Sequence, residues 1–276
     1  MLATELEFHA DGKRVRVARL GSGPPAILLH GYPETLQIWC DVARRLADRS
    51  SVIAFDWPGM GESDEWKGGA SPTHMAERLV RMMETWNIDR ADVVAMDMGG
   101  QPALVLAARW PERVRRLCVM NSFVQWDEAT SWEIRILRQY GWNRVILRHL
   151  PRAVFTRAER TFLPRGVRLS PELRRDFWQC FRRTAVRRYI VRMCGAYSGS
   201  LRRLPEHFAR IHAPTLVLWG ERDRHFPPAH AARLHAAVAG SRLEVIPSGE
   251  HWMAWHLAGE VAARVGEFLG TSPDLR

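Results

Sequence analysis

Three residues in this chain have types and surroundings that suit bond cleavage: Asp97, Asp223 and His251. A carboxylate is already ionised near pH 7, so Asp97, unlike a serine, needs no base to become a nucleophile. A histidine steadied by a second acid can take a proton from water. Asp97 stands in Ala95-Met96-Asp97-Met98-Gly99-Gly100, with small residues at Ala95, Gly99 and Gly100. A strained turn needs such neighbours, because a bulky side chain would clash as a helix doubles back over a strand. The plainer reading of Asp97 is a helix cap held by N-terminal amides. Attack by a carboxylate on an acyl carbon would give a labile anhydride, which disfavours esters and lactones. Attack on a strained or halogen-bearing saturated carbon gives an ordinary alkyl ester that water must then cleave, so epoxides and alkyl halides fit best.

The elements that must hold these residues follow from the apolar rhythm. Ala91–Met96 reads as a buried strand and the alanine-rich run after Gly100 as a helix ending near Trp110-Pro111. Pro25–Leu29, Ser51–Phe55, Arg116–Met120 and Pro214–Trp219 are further apolar strands, and Arg242–Pro247 is the last. Leu6–His9 and Val15–Ala18 alternate around Asp11-Gly12 as edge strands of a hairpin. Thr73 is placed as the cap of the helix that follows the glycine-punctuated loop after Asp56. Strands alternating with helices predict a mostly parallel sheet covered on both faces, with ligands at the carboxyl ends of its strands. His30, Asp56, Asp97, Asn121, Asp223 and His251 all fall at such ends. Asp223 and His251 are 28 residues apart, room for one helix and one strand, so both return to the same sheet edge. Asp223 also reads as a turn residue, and Glu221 competes with it, whereas Asn121 cannot ionise.

From Phe123 to Glu206 the rhythm changes to helices crowded with arginine and aromatics. Residues 1–122 and 207–276 are read as one core domain and 123–206 as a helical insertion. The insertion has 18 arginines against seven carboxylates, which accounts for the net charge of +10. No basic tract of five occurs, so a solvated helical face is preferred to nucleic-acid binding. The four cysteines, Cys40, Cys118, Cys180 and Cys194, lack metal spacing and read as buried thiols. No apolar run approaches the length of a membrane span, and no leader pattern opens the chain. These features predict a cytoplasmic protein, monomer or homodimer, with no metal or other cofactor. Its partners are a small molecule and water.

The order nucleophile, acid, base is that of the α/β-hydrolases, and the chain resembles that superfamily over all but the insertion, which corresponds to the family's lid. An aspartate nucleophile together with His30-Gly31-Tyr32-Pro33 resembles the epoxide hydrolase branch, near the haloalkane dehalogenases. The resemblance implies that Asp97 is alkylated, that Asp223 orients His251, and that His251 activates the water that frees it. It assigns the oxyanion-binding amides to Tyr32 and Met98, independent of their side chains. It also implies a lid tyrosine as acid toward the opened epoxide: Tyr140 first, then Tyr197 or Tyr189, each of which also reads as packing. His30, Trp126, Trp132 and Trp252 are candidates to border the substrate, although His30 reads equally as a brace for its loop. Met98 and Tyr32 stand where haloalkane dehalogenases have a tryptophan and an amide, so the halide reading loses donors. Fluoroacetate dehalogenases have an arginine at the Met98 position. A non-covalent lyase or a small-molecule receptor on the same fold is the reading from another class.

Overall fold

The computed structural model describes residues 1–9 and 12–270. Its core is an eight-stranded sheet of β1 (Glu5–Phe8), β2 (Arg14–Leu20), β3 (Pro25–Leu29), β4 (Ser51–Phe55), β5 (Ala91–Met96), β6 (Val114–Met120), β7 (Thr215–Gly220) and β8 (Arg242–Ile246). The spatial order is β1-β2-β4-β3-β5-β6-β7-β8. β2 runs antiparallel to β1 and β4, and every other pairing is parallel. β5 and β7 are buried at every residue, as strands covered on both faces must be. The covering helices are α1 (Cys40–Leu46), packed on α11 (Ala258–Gly270), and α2 (Pro72–Thr85), packed on α3 (Gly100–Arg109), with α9 (Ala229–Ala237) beside β7 and β8.

Between β6 and β7 the chain runs through α4 (Trp132–Leu137), α5 (Tyr140–His149), α6 (Pro151–Thr161), α7 (Pro171–Phe181) and α8 (Thr184–Ser200), with no strand among them. α10 (Met253–His256) follows the loop that carries His251. The arginines of the helical segment are not simply solvated. The guanidinium carbon of Arg138 lies 3.9 Å from the Trp126 ring centre, that of Arg157 5.3 Å from Trp132 and that of Arg152 5.5 Å from Trp178, so these charges lie over aromatic rings.

Two local expectations need correction. β2 is flanked on both sides, so of the hairpin only β1 is an edge; Asp11 of its turn lies outside the described residues. The cap of α2 is Ser71, whose hydroxyl accepts from the His74 amide, with Pro72 in the first helical position and Thr73 inside the helix. Proline suits that position because its missing N–H would have no partner there.

Candidate active site

At the end of β5 the backbone turns sharply, and Asp97 adopts φ of +47°, a conformation that L side chains rarely take. What surrounds it explains why small residues are needed. A Cβ on Gly99 would meet the Leu29 carbonyl at 2.7 Å, one on Gly100 the Ser122 hydroxyl at 2.4 Å, and one on Gly31 the Asp97 carboxylate at 2.3 Å. The Ser122 hydroxyl donates to the Asp97 carbonyl and fixes the turn from the β6 side.

The two carboxylate oxygens of Asp97 have different surroundings. Oδ2 accepts from the Tyr32 amide at 2.7 Å, and the Met98 amide also bonds the carboxylate. Oδ1 faces Nε2 of His251 at 3.9 Å, too far for a direct hydrogen bond and close enough for a bridging water. His251 Nδ1 donates to Asp223 Oδ2 at 2.8 Å, which leaves Nε2 directed at the Asp97 side. Asp223 Oδ1 in turn accepts from the amides of His225 and Phe226. Asp97, Asp223 and His251 thus come together as expected, and the carboxylate is both amide-bound and beside the histidine. Glu221, the rival acid, is exposed.

Electrostatics follow from burial. Loss of water pushes Asp97 up, opposed by the His251 charge and the two amides. Burial opposes charging of His251, yet Asp223, Asp97 and Glu34 outweigh it and raise its pKa to about 9. Burial would also raise Asp223, but the charge and hydrogen bond of His251 win and hold it low. Asp223 is therefore the permanently charged partner of the pair.

Glu34, which by sequence alone reads only as a residue that holds its loop, is a further residue of the site. It does accept from the Gly31 amide at 2.9 Å, and also from the Trp252 indole at 2.9 Å. Burial first, then the neighbouring Asp97, push its carboxyl toward the protonated form. It is thus a third carboxyl under His251. Asn121, set aside as an acid, has a positioning role: its amide donates to the Glu250 and His251 carbonyls and its oxygen accepts from the Gly220 amide. Asp56 braces loops, accepting from the Leu36 and Glu62 amides.

A cavity of about 40 Å3 opens onto Asp97, bordered by Tyr32, Met98, Gln101, Phe123, Cys194 and Tyr197 among others. Of the three tyrosines expected as lid acids only Tyr197 borders it, hydrogen-bonded to Gln101. Tyr140 is half exposed and leans on Gly195, because its place at the start of α5 faces outward. Tyr189 is buried elsewhere, against Gly59, its hydroxyl accepting from Arg78 at 3.0 Å. The phenol that was overlooked is Tyr32: its side chain borders the cavity and its buried hydroxyl has no hydrogen-bond partner among the described residues. No motif in the sequence marks that side chain, since its backbone position alone suggested a role.

None of the four proposed substrate-bordering residues lines this cavity. His30 is buried, Nδ1 against the Gly31 carbonyl and Nε2 accepting from the Trp57 amide, so it braces its loop. Trp252 is buried behind His251 with its indole committed to Glu34. Trp126 is stacked under Arg138, and Trp132 is half exposed on α4.

A family model described as the alpha/beta hydrolase fold matches residues 24–256. The dihydrolipoyllysine-residue acetyltransferase component of the acetoin cleaving system of Cupriavidus necator is 28% identical over 94% of this chain and 67% of its own. A 2-hydroxy-6-oxononadienedioate/2-hydroxy-6-oxononatrienedioate hydrolase of Klebsiella pneumoniae is 26% identical over 94% of this chain and 88% of its own. Among solved structures, a membrane phospholipase A described as a bacterial virulence factor superposes with a TM-score of 0.84 at 23% identity, over 97% of this chain and 86% of the other. An extent of match that runs from β3 into α10, and so takes in Asp97, Asp223 and His251, leaves one conclusion: the chain belongs to the α/β-hydrolase fold family and is a hydrolase of that fold.

Proposed function

We propose that Asp97 is a covalent nucleophile and that the enzyme opens epoxides through an alkyl ester. The observation that carries this reading is the asymmetry of the Asp97 carboxylate, with Oδ2 bonded by the Tyr32 amide and Oδ1 facing His251 Nε2 at 3.9 Å. Oδ1 attacks the less hindered ring carbon and the carbon–oxygen bond opens. The departing oxygen takes a proton from a phenol, Tyr32 or Tyr197, both of which burial keeps protonated. His251 then removes a proton from water, which adds to the ester carbon of Asp97. The oxyanion of that step is Oδ2, already held by the Tyr32 amide, and the Met98 amide also bonds this carboxylate. Collapse releases the diol oxygen, which takes the proton from His251, and the new carboxylic acid returns its proton to the phenolate. Epoxide and water are consumed and a diol is formed. The helices between β6 and β7 act in this reading as a lid.

Two phenols around one cavity favour an epoxide, whereas the side-chain N–H donors that a halide would need are limited there to Gln101 and Arg138. A second reading, hydrolysis of a carboxylate-bearing substrate like those named for the Klebsiella relative, has Arg138 in its favour. Its guanidinium borders the cavity and no ion pair with a carboxylate is found for it among the described residues. Single turnover of an epoxide in heavy-oxygen water tests the proposal: label enters the Asp97 carboxylate, and His251→Gln accumulates an adduct seen by intact mass. Turnover with neither result would discard the covalent step, and with it the choice of Asp97 over a non-covalent lyase.

A further inference from the structure

The 40 Å3 around Asp97 hold roughly one water-sized group at about 30 Å3 each, so most of any organic substrate must lie elsewhere. A second space of about 250 Å3, room for roughly eight such groups, lies between α4, α5 and α6. Tyr32, Ile134 and Leu137 line both spaces. The rest of the wall is mainly apolar, with Ile146, Val154 and Ala158 on the helices. Phe162 closes the inner end, its ring 4.3 Å from that of His251. The charged wall residues, Glu133 and Arg157, pair with each other at 2.7 Å. At the outer rim Trp132 and Leu150 are 50% and 56% exposed, so the apolar wall reaches the surface there. Protein interiors close up to near-crystalline density, so an apolar space of this volume beside a reacting group is a feature of the design and not slack in the packing.

We propose that this chamber holds the apolar tail of the substrate, an unbranched alkyl chain of about eight carbons, with Tyr32, Ile134 and Leu137 forming the passage to the reacting carbon. The assignment of the reacting end rests on the reading of Asp97 given above; the tail seat rests on the chamber alone. The tail enters past Trp132 and Leu150 and lies along Ile146 and Ala158. Its head then reaches the cavity where Tyr32 and Tyr197 border Asp97. Recognition of this kind is by length, because each methylene that leaves water for the chamber adds a similar increment until the space is full.

Two measurements separate the seat from the chemistry. With 1,2-epoxyalkanes from three to twelve carbons, kcat/KM rises about three- to fourfold per methylene and levels off near ten carbons. In Ala158→Phe, and independently in Ala153→Trp at the mouth, the ratio of the ten-carbon to the four-carbon rate falls at least tenfold. Binding of n-alkanols to catalytically dead Asp97→Asn, followed by calorimetry, shows the same length dependence and the same loss in the two filled variants. If no epoxide is turned over but the alkanol series holds, the seat stands and the epoxide assignment falls. An alkanol series that is flat with chain length, or unchanged when either filling substitution folds normally, overturns the seat.

Discussion

At Asp97 the Tyr32 amide holds Oδ2, the Met98 amide also bonds the carboxylate and Oδ1 faces His251, an arrangement that suits the ester intermediate of the proposed mechanism. In the proposed mechanism Tyr32 serves twice, once by its amide and once by its phenol. General acids contribute about 10²- to 10⁴-fold, so Tyr32→Phe and Tyr197→Phe are each expected to slow epoxide opening about a hundredfold in pre-steady-state alkylation, and the double variant further. Hydrolysis of the preformed ester is expected to be spared in both. Equal loss in both steps would mean that the phenols only shape the cavity. The charge on His251 is a residue-scale matter as well. Asp97 is one of the carboxylates that raise it to about 9, so in the proposed mechanism alkylation neutralises Asp97 and lowers the histidine's pKa before the hydrolytic step. The ring of His251, followed by NMR, should titrate at lower pH in Asp97→Asn than in the wild type.

At the scale of elements, the acid and the base depend on two loops that meet through glycine. A Cβ on Gly220, at the end of β7, would lie 2.4 Å from the Gly249 carbonyl oxygen, and the Arg222 amide donates to that same carbonyl at 2.9 Å. Asn121 ties the end of β6 to both loops. Asp223 and His251 thus keep a 2.8 Å contact because three strand ends are stitched together, not because either side chain finds the other unaided. Gly220→Ala forces backbone against backbone and is expected to cost about 1–3 kcal/mol in urea unfolding and to cut kcat more than KM. An active variant of wild-type stability would show that the close approach can be relieved without moving the triad.

Across the whole molecule, the helical segment is fastened to the sheet by buried charge. Arg16 on β2 bonds Asp176 of α7 at 2.8 Å and approaches Asp56 at the end of β4 at 3.5 Å, while Asp176 also accepts from Thr35. Breaking such a network leaves an uncompensated buried charge, and about 3–5 kcal/mol is the usual cost. The site has its own consequence for global stability. The folded pKa of His251, about 9, lies above its ordinary value of about 6.5, so the contribution of its charge is complete below pH 6.5 and is lost as pH rises through about 9. Glu34, raised toward its protonated form, acts with the same sign. Urea unfolding of the wild type is therefore expected to show stability falling by on the order of 3 kcal/mol between pH 6 and pH 10. A level profile over that range would mean that His251 is not charged in the folded enzyme.

The alternation of strand and helix, the acid at a tight turn and the order of Asp97, Asp223 and His251 were legible in the residues themselves, because each is written locally. Apolar periodicity selects a strand or a helix, small residues permit a bend, and strand ends collect polar groups. What could not be read was which side chains from distant elements converge. Tyr140, Tyr189 and Tyr197 look alike in sequence, yet one is exposed, one is packed on Gly59 and one borders the cavity, because each helix's rotation about its axis is set by packing against the others. The Tyr32 phenol, the burial of Glu34 beneath His251 and the chamber between α4, α5 and α6 exist only once those helices lie across the sheet. Local chemistry is thus a property of the chain, whereas enclosure, and the selection of substrate that follows from it, is a property of tertiary contact.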